Sequence, residues 1–128
     1  MNKYRDKSDF EINKAVAKRY LTHDFRLNST DEIVELIDVD LYREYGGEFN
    51  LANKYVIGKF DPCNNPADAM PIVIRSLISL ISDKSDDGES AWWVAQDVTG
   101  SIASGLKSNP YRAAMEVFLM MKDAENEK

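Results

Sequence analysis

Five residues able to bind, cap or attack lie close together in the stretch FDPCNNPADAMP: Asp61, Cys63, Asn64, Asn65 and Asp68. Cys63 is the only cysteine. A thiol near a helix start can have a depressed pKa and act as a nucleophile. Such a nucleophile needs a base, and the only histidine is His23, in a turn-rich loop far away in sequence. Asp61, Cys63, Asn64 and His23 could also be read as metal ligands, but they mix hard and soft donors without an established spacing. The preferred reading is architectural. Phe60 ends a strand, Asp61-Pro62 turns the chain, Asn65 caps a helix, Pro66 takes its first position, and Asp68 faces the positive end of the helix dipole. Pro71 then removes one backbone bond, which predicts a kink or a short first helical piece.

Two other clusters carry possible function. Trp92 and Trp93 are adjacent, so they face opposite sides of a strand, and an exposed tryptophan would make an anchor for a protein partner. Asp38 and Asp40 share one face of the alternating run ELIDVDLYRE, opposite Ile37, Val39 and Leu41. With no third ligand or basic partner spaced for them, a solvated strand face explains the pair. No phosphate-binding glycine loop, dinucleotide fingerprint, nucleophile elbow or zinc-protease helix occurs. The expected chemistry is therefore none: no catalytic residue, no metal and no cofactor.

The elements that position these residues can be read from periodicity. Ser8 opens a capping box with Glu11, and Phe10, Ile12, Ala15, Val16, Ala17, Tyr20 and Leu21 form a broad apolar stripe, predicting a helix over about 9–21. Residues 22–34 read as a loop, and 1–7 and 124–128 as frayed ends. ELIDVDLYRE and KYVIGKF read as strands, separated by a turn at Gly46-Gly47. PIVIRS continues the central helix, 78–81 leans towards strand, DKSDDGES is a polar turn, AWWVAQDV is a strand, and TGSIASGLKS is a loop. NPYRAAMEVFLMM reads as a helix with Asn109 as cap and Pro110 at its first position. It is apolar over most of its circumference, and Met115, Met120 and Met121 read as core filling.

Composition limits the functions. A chain of 128 residues suits one domain with one core. With 16 Lys+Arg against 22 Asp+Glu, the net charge of −6 repels phosphate backbones, and no basic cluster offsets it, so nucleic-acid binding is not expected. MNKYRDKSDFE has no apolar signal region, and the run AAMEVFLMM is too short to cross a bilayer. A cytoplasmic protein without membrane contact is expected.

The order SDFEINKAVA, FDPCNNPADAMPIV, a Trp-containing strand and NPYRAAMEVFLMM resembles the NinX family of small phage and prophage proteins. The resemblance spans most of the chain outside 22–55. It implies a phage origin and an α+β fold, and it carries no catalytic residues. The expected fold is a single α+β domain, with about three helices packed on an antiparallel sheet of three to four strands. The expected role is a non-enzymatic accessory protein binding a host or phage protein, with a homodimer possible. The alternative is a small enzyme or ligand-binding domain using the helix-start cleft from Cys63 to Asp68.

Overall fold

The computed structural model describes residues 2–40 and 53–126. In chain order the elements are α1 (Asp9–Tyr20), β1 (Phe25–Asn28), β2 (Ile33–Asp40), β3 (Asn53–Phe60), α2 (Pro66–Ser76), β4 (Ser79–Lys84), β5 (Ala91–Gln96) and α3 (Pro110–Asn126). The α+β class and the three helices are as expected. The strands, however, divide between two antiparallel sheets, ordered β1-β2-β3 and β4-β5, instead of forming one. Gly46-Gly47, Leu41 and Tyr42 lie outside the described residues.

Helix α3 organises the core, packing against α1, α2 and β5. Its apolar circumference is used as predicted from sequence: Ala113, Ala114, Met115, Val117, Phe118 and Leu119 are all buried. Met120 and Met121 pack at the margin of the same core. From α1 come Ile12, Val16 and Ala17, and from α2 come Ala69, Ile72 and Val73. Tyr20 meets Phe118 edge to face, with ring centroids 6.3 Å apart.

Several expectations are corrected. Residues 22–34 are not simply a loop, because Phe25–Asn28 pairs with β2 from Phe25↔Leu36 to Asn28↔Ile33. Four residues between polar turns are too few to display a period, although Phe25 and Leu27 do face inward and Arg26 outward. Residues 2–7 are not frayed: Tyr4 is buried, and the carbonyls of Tyr4 and Lys7 accept from Arg112 Nη2 at 2.9 and 2.6 Å. The last helix persists to Asn126, so 124–126 are helical. Ser8 accepts from the Glu11 N–H at 3.1 Å, but the Glu11 carboxylate turns to Lys14 at 3.0 Å. Of the two outcomes expected at Pro71, a kink or a short first piece, the second is excluded, because α2 runs unbroken from Pro66 to Ser76.

The β2–β3 pairing runs from Val34↔Phe60 to Asp40↔Asn53, with Ile57 as an extra residue opposite the Leu36/Ile37 step. In the second sheet, Ser79↔Gln96 to Lys84↔Ala91 forms a hairpin. The stretch 99–108, read as a loop, is stitched to β5 through bridges Gln96↔Ala103 and Trp93↔Lys107. Asp97 holds this excursion closed. It accepts from the Thr99 hydroxyl at 2.9 Å and from the Ile102 N–H at 3.2 Å.

Candidate functional site

The turn between β3 and α2 is fixed by its own side chains. Asp61 C=O accepts from the N–H groups of Asn64 and Asn65 at 3.1 and 2.8 Å. Asn65 caps α2 by accepting from the Ala67 N–H at 3.0 Å, and Asp68 Oδ2 reaches back to the Asp61 N–H at 2.9 Å. The Asn-Pro reading of the sequence therefore describes the local geometry. Asp61, Asn64, Asn65 and Asp68 are brought together, largely by bonding one another.

Two asparagines from elsewhere complete the turn. Asn13, buried on α1, accepts from the Cys63 N–H at 3.1 Å and donates to Asp61 Oδ1 at 2.7 Å. Asn109 donates to the Cys63 carbonyl at 2.7 Å while its Oδ1 accepts from the Tyr111 N–H at 2.9 Å. Both backbone groups of a buried residue are thus satisfied by side chains, which replaces the ladder partners a turn lacks. The N-termini of all three helices meet here, since Asn64 also donates to Asp9 at 3.2 Å.

The thiol itself is enclosed. Cys63 has no exposed surface, and its Sγ lies 3.9 Å from the Asp9 carbonyl oxygen. Burial, and after it the Asp9 carboxylate, pushes its pKa well above the ordinary thiol value, against the opposing effect of Arg112. This reverses the thiolate expected of a cysteine near a helix start. His23 is exposed and lies beyond the C-terminal end of α1, whereas Cys63 sits at its N-terminal end. A helix of 12 residues is roughly 18 Å long, so the two are not brought together. Among the described residues, no group of three or more His, Cys, Asp or Glu is placed to hold a metal ion.

A second polar cluster adjoins the first and was only half visible in the sequence. Glu116, which interrupts the apolar run of α3, is fully buried. It accepts from Arg112 Nε at 2.7 Å, from Asn2 at 2.6 Å and from Lys107 at 3.2 Å. Arg112 extends the network to Asp9 at 2.7 Å. These carboxylates and its own partial burial act in opposite directions, and the carboxylates win, raising the guanidinium pKa. The available signal was the Arg112–Glu116 spacing within an apolar helix, because a buried charge needs a partner. For Asn13 it was a polar residue beside Ile12 and one turn from Val16 on the buried face.

Beside the turn is a cleft of about 200 Å³, bordered by Asp9, Asn13, Glu32, Lys59, Asp61 and Asn64 among others. Trp92 and Trp93 are elsewhere, in β5, and both are part-buried. Trp93 faces Ser82 across the hairpin and is bridged to Lys107 on its other side. Neither stands out as the exposed anchor anticipated.

A family model described as Bacteriophage P22, NinX matches residues 3–122. The chain belongs to the NinX family. No curated protein and no solved structure matches it. The matched span of this NinX-family chain takes in Asn13, the Asp61–Asn65 turn, Asn109, Arg112 and Glu116. Two of the four stretches that carry the resemblance, FDPCNNPADAMPIV and NPYRAAMEVFLMM, are in direct contact through the bond from Asn109 to Cys63.

Proposed function

We propose that this NinX-family protein is a phage accessory protein without chemistry of its own, acting in the host cytoplasm by binding a host or phage protein. The observation carrying this reading is an apolar patch of Ile74, Leu77 and Val98, which are 67%, 66% and 75% exposed around one shallow hollow. Contiguous apolar surface of this kind marks interaction sites. The polar cluster around Cys63 supports the same reading from the other side, because its groups are committed to holding three helices together and its thiol is neutral and buried. The test is affinity capture of the tagged protein from phage-infected cells. A stoichiometric partner that is lost with the Ile74→Ser/Val98→Ser variant is expected. Recovery of no partner with the wild-type chain would defeat the proposal.

A second reading is favoured by the cleft of about 200 Å³ beside the turn. There Asp9, Asp61 and Asn64 could hold a small polar ligand, making the chain a ligand-binding domain or a small enzyme. Loss of phage fitness on Lys59→Ala, with partner capture intact, would favour it over the first. Neither nucleic acid nor membrane enters either reading, and DNA retardation by the purified protein is expected to be absent.

A further inference from the structure

The last turn of α2 exposes two large apolar residues, Ile74 and Leu77, and ends in a left-handed leucine. The helix closes in a Schellman arrangement, with the Ile78 N–H donating to the Val73 carbonyl at 3.0 Å and the Leu77 N–H to the Ile74 carbonyl at 3.3 Å. The residue at this closure is left-handed, and glycine usually fills it. Leu77 fills it here, at φ 56 and ψ 45. A leucine in this region bears backbone strain. The neighbours Val73 and Ile78 are buried and supply the apolar contact of the closure, whereas the Leu77 side chain remains in water.

The same turn divides two unlike hollows. On one flank, Ile74, Leu77 and Val98 border an apolar one of about 380 Å³. On the other, Arg75 borders one of about 440 Å³ together with Arg19, Tyr20, Phe118 and Lys122. Arg19 is tied to Asp123 at 3.5 Å and Lys122 to Glu125 at 3.4 Å. Arg75 is exposed, and among the described residues it forms no ion pair. The dipole of α2 explains a cation in this turn. It does not explain the apolar residues exposed beside it.

We infer that the C-terminal turn of α2 docks an acidic amphipathic segment of a partner protein, with Leu77 as the apolar anchor and Arg75 as the carboxylate receptor. This rests on the binding role proposed above and names its surface and the chemistry of its partner. Charge selects the occupant. A two-fold contact between copies at this turn would bring two Arg75 guanidinium groups to the same seam, with no carboxylate of the turn to separate them. An acidic segment instead meets a guanidinium suited to carboxylate pairing and a wall suited to its apolar side chains.

The test selects random dodecapeptides displayed on phage against the purified full-length protein and measures the winners by fluorescence anisotropy. Peptides combining apolar residues with Asp or Glu are expected. Their affinity should fall about tenfold or more on Arg75→Glu, and about threefold to tenfold on Leu77→Gly. Leu77→Gly should also keep or raise the urea midpoint, which separates loss of the anchor from loss of the fold. Peptides without carboxylates, binding insensitive to Arg75→Glu, or no enriched peptide would each overturn the inference. So would a concentration-dependent dimer abolished by Leu77→Gly, which would assign the surface to a second copy. If infected cells yield a partner that the Arg75→Glu/Leu77→Gly chain still retains, the binding role stands and this surface falls. If the wild-type chain yields no partner, the role itself falls.

Discussion

Asn109 donates to the Cys63 carbonyl at 2.7 Å with the same side chain that caps α3, so one amide joins the last helix to the turn before α2. Asn13 performs the matching task from α1, accepting from the Cys63 N–H. The two asparagines hold opposite faces of one peptide segment. Neither bond substitutes for the other, because one satisfies a donor and the other an acceptor.

Replacing Asn13 by Ala strands a buried N–H and removes the amide from Asp61. Urea denaturation should show a loss of about 1–3 kcal/mol. Asn109→Ala loses the cap as well as the Cys63 bond, and about 1–2 kcal/mol is expected. Because both act on one segment, the double variant should depart measurably from the sum. Full additivity would contradict the shared role.

Arg112→Met should be among the most destabilising changes in α3, costing about 3 kcal/mol or more, since it removes a principal partner of buried Glu116. Combining it with Glu116→Leu should recover much of that loss, because an apolar pair replaces an uncompensated charge. Thermal melts of the three variants would check the order. A double variant less stable than Arg112→Met alone would refute it.

The enclosed Cys63 thiol predicts low reactivity. A thiol-exchange reagent at mildly alkaline pH should label the native protein far more slowly than the urea-unfolded protein. Labelling at the rate of a free cysteine peptide would show that the segment opens readily and would revive the nucleophile. Cys63→Ala is expected to leave partner capture unchanged.

Tyr4 and Asp123 give opposite pH dependences. Burial first, then the hydrogen bond to Asp123 and its charge, push the Tyr4 pKa up to about 12. A raised folded pKa means that this contribution is present below the unfolded value of about 10 and is lost as pH rises towards 12. Partial burial would raise Asp123, but the Tyr4 hydroxyl, Lys3 and Arg19 outweigh it and lower its pKa. Its contribution is present above the unfolded value near pH 4 and is lost as pH falls through the lowered one. Urea midpoints across pH should fall at both ends, and Tyr4→Phe should flatten the alkaline limb.

Much of the fold was legible because its signals are local. The Ser8 and Asn65 caps, the alternation in β2 and the proline at the start of α3 each declare themselves within a few residues. The separation into two sheets was not legible, because strand pairing depends on contacts distant in sequence. Short β1 had no room for a period. At the turn, the Asn65 cap and Pro66 at the helix start were legible, yet the partners Asn13, Asp9 and Asn109 come from helices whose approach no spacing reveals. Leu77 was invisible for another reason: nothing in the run IRSLIS marks a left-handed leucine where glycine is usual.

The clamp of Arg112 on the carbonyls of Tyr4 and Lys7 joins positions 108 and 105 residues apart. The segment at residues 2–7 therefore cannot be secured until Arg112 has left the ribosome. Closing so long a loop is slow compared with forming a helix or a hairpin. During synthesis, α1, α2 and the β4–β5 hairpin must wait for α3 to supply their common core. A nascent chain cut short before Arg112 would lose both its organising helix and the latch on its first residues, leaving a fragment suited to proteolysis.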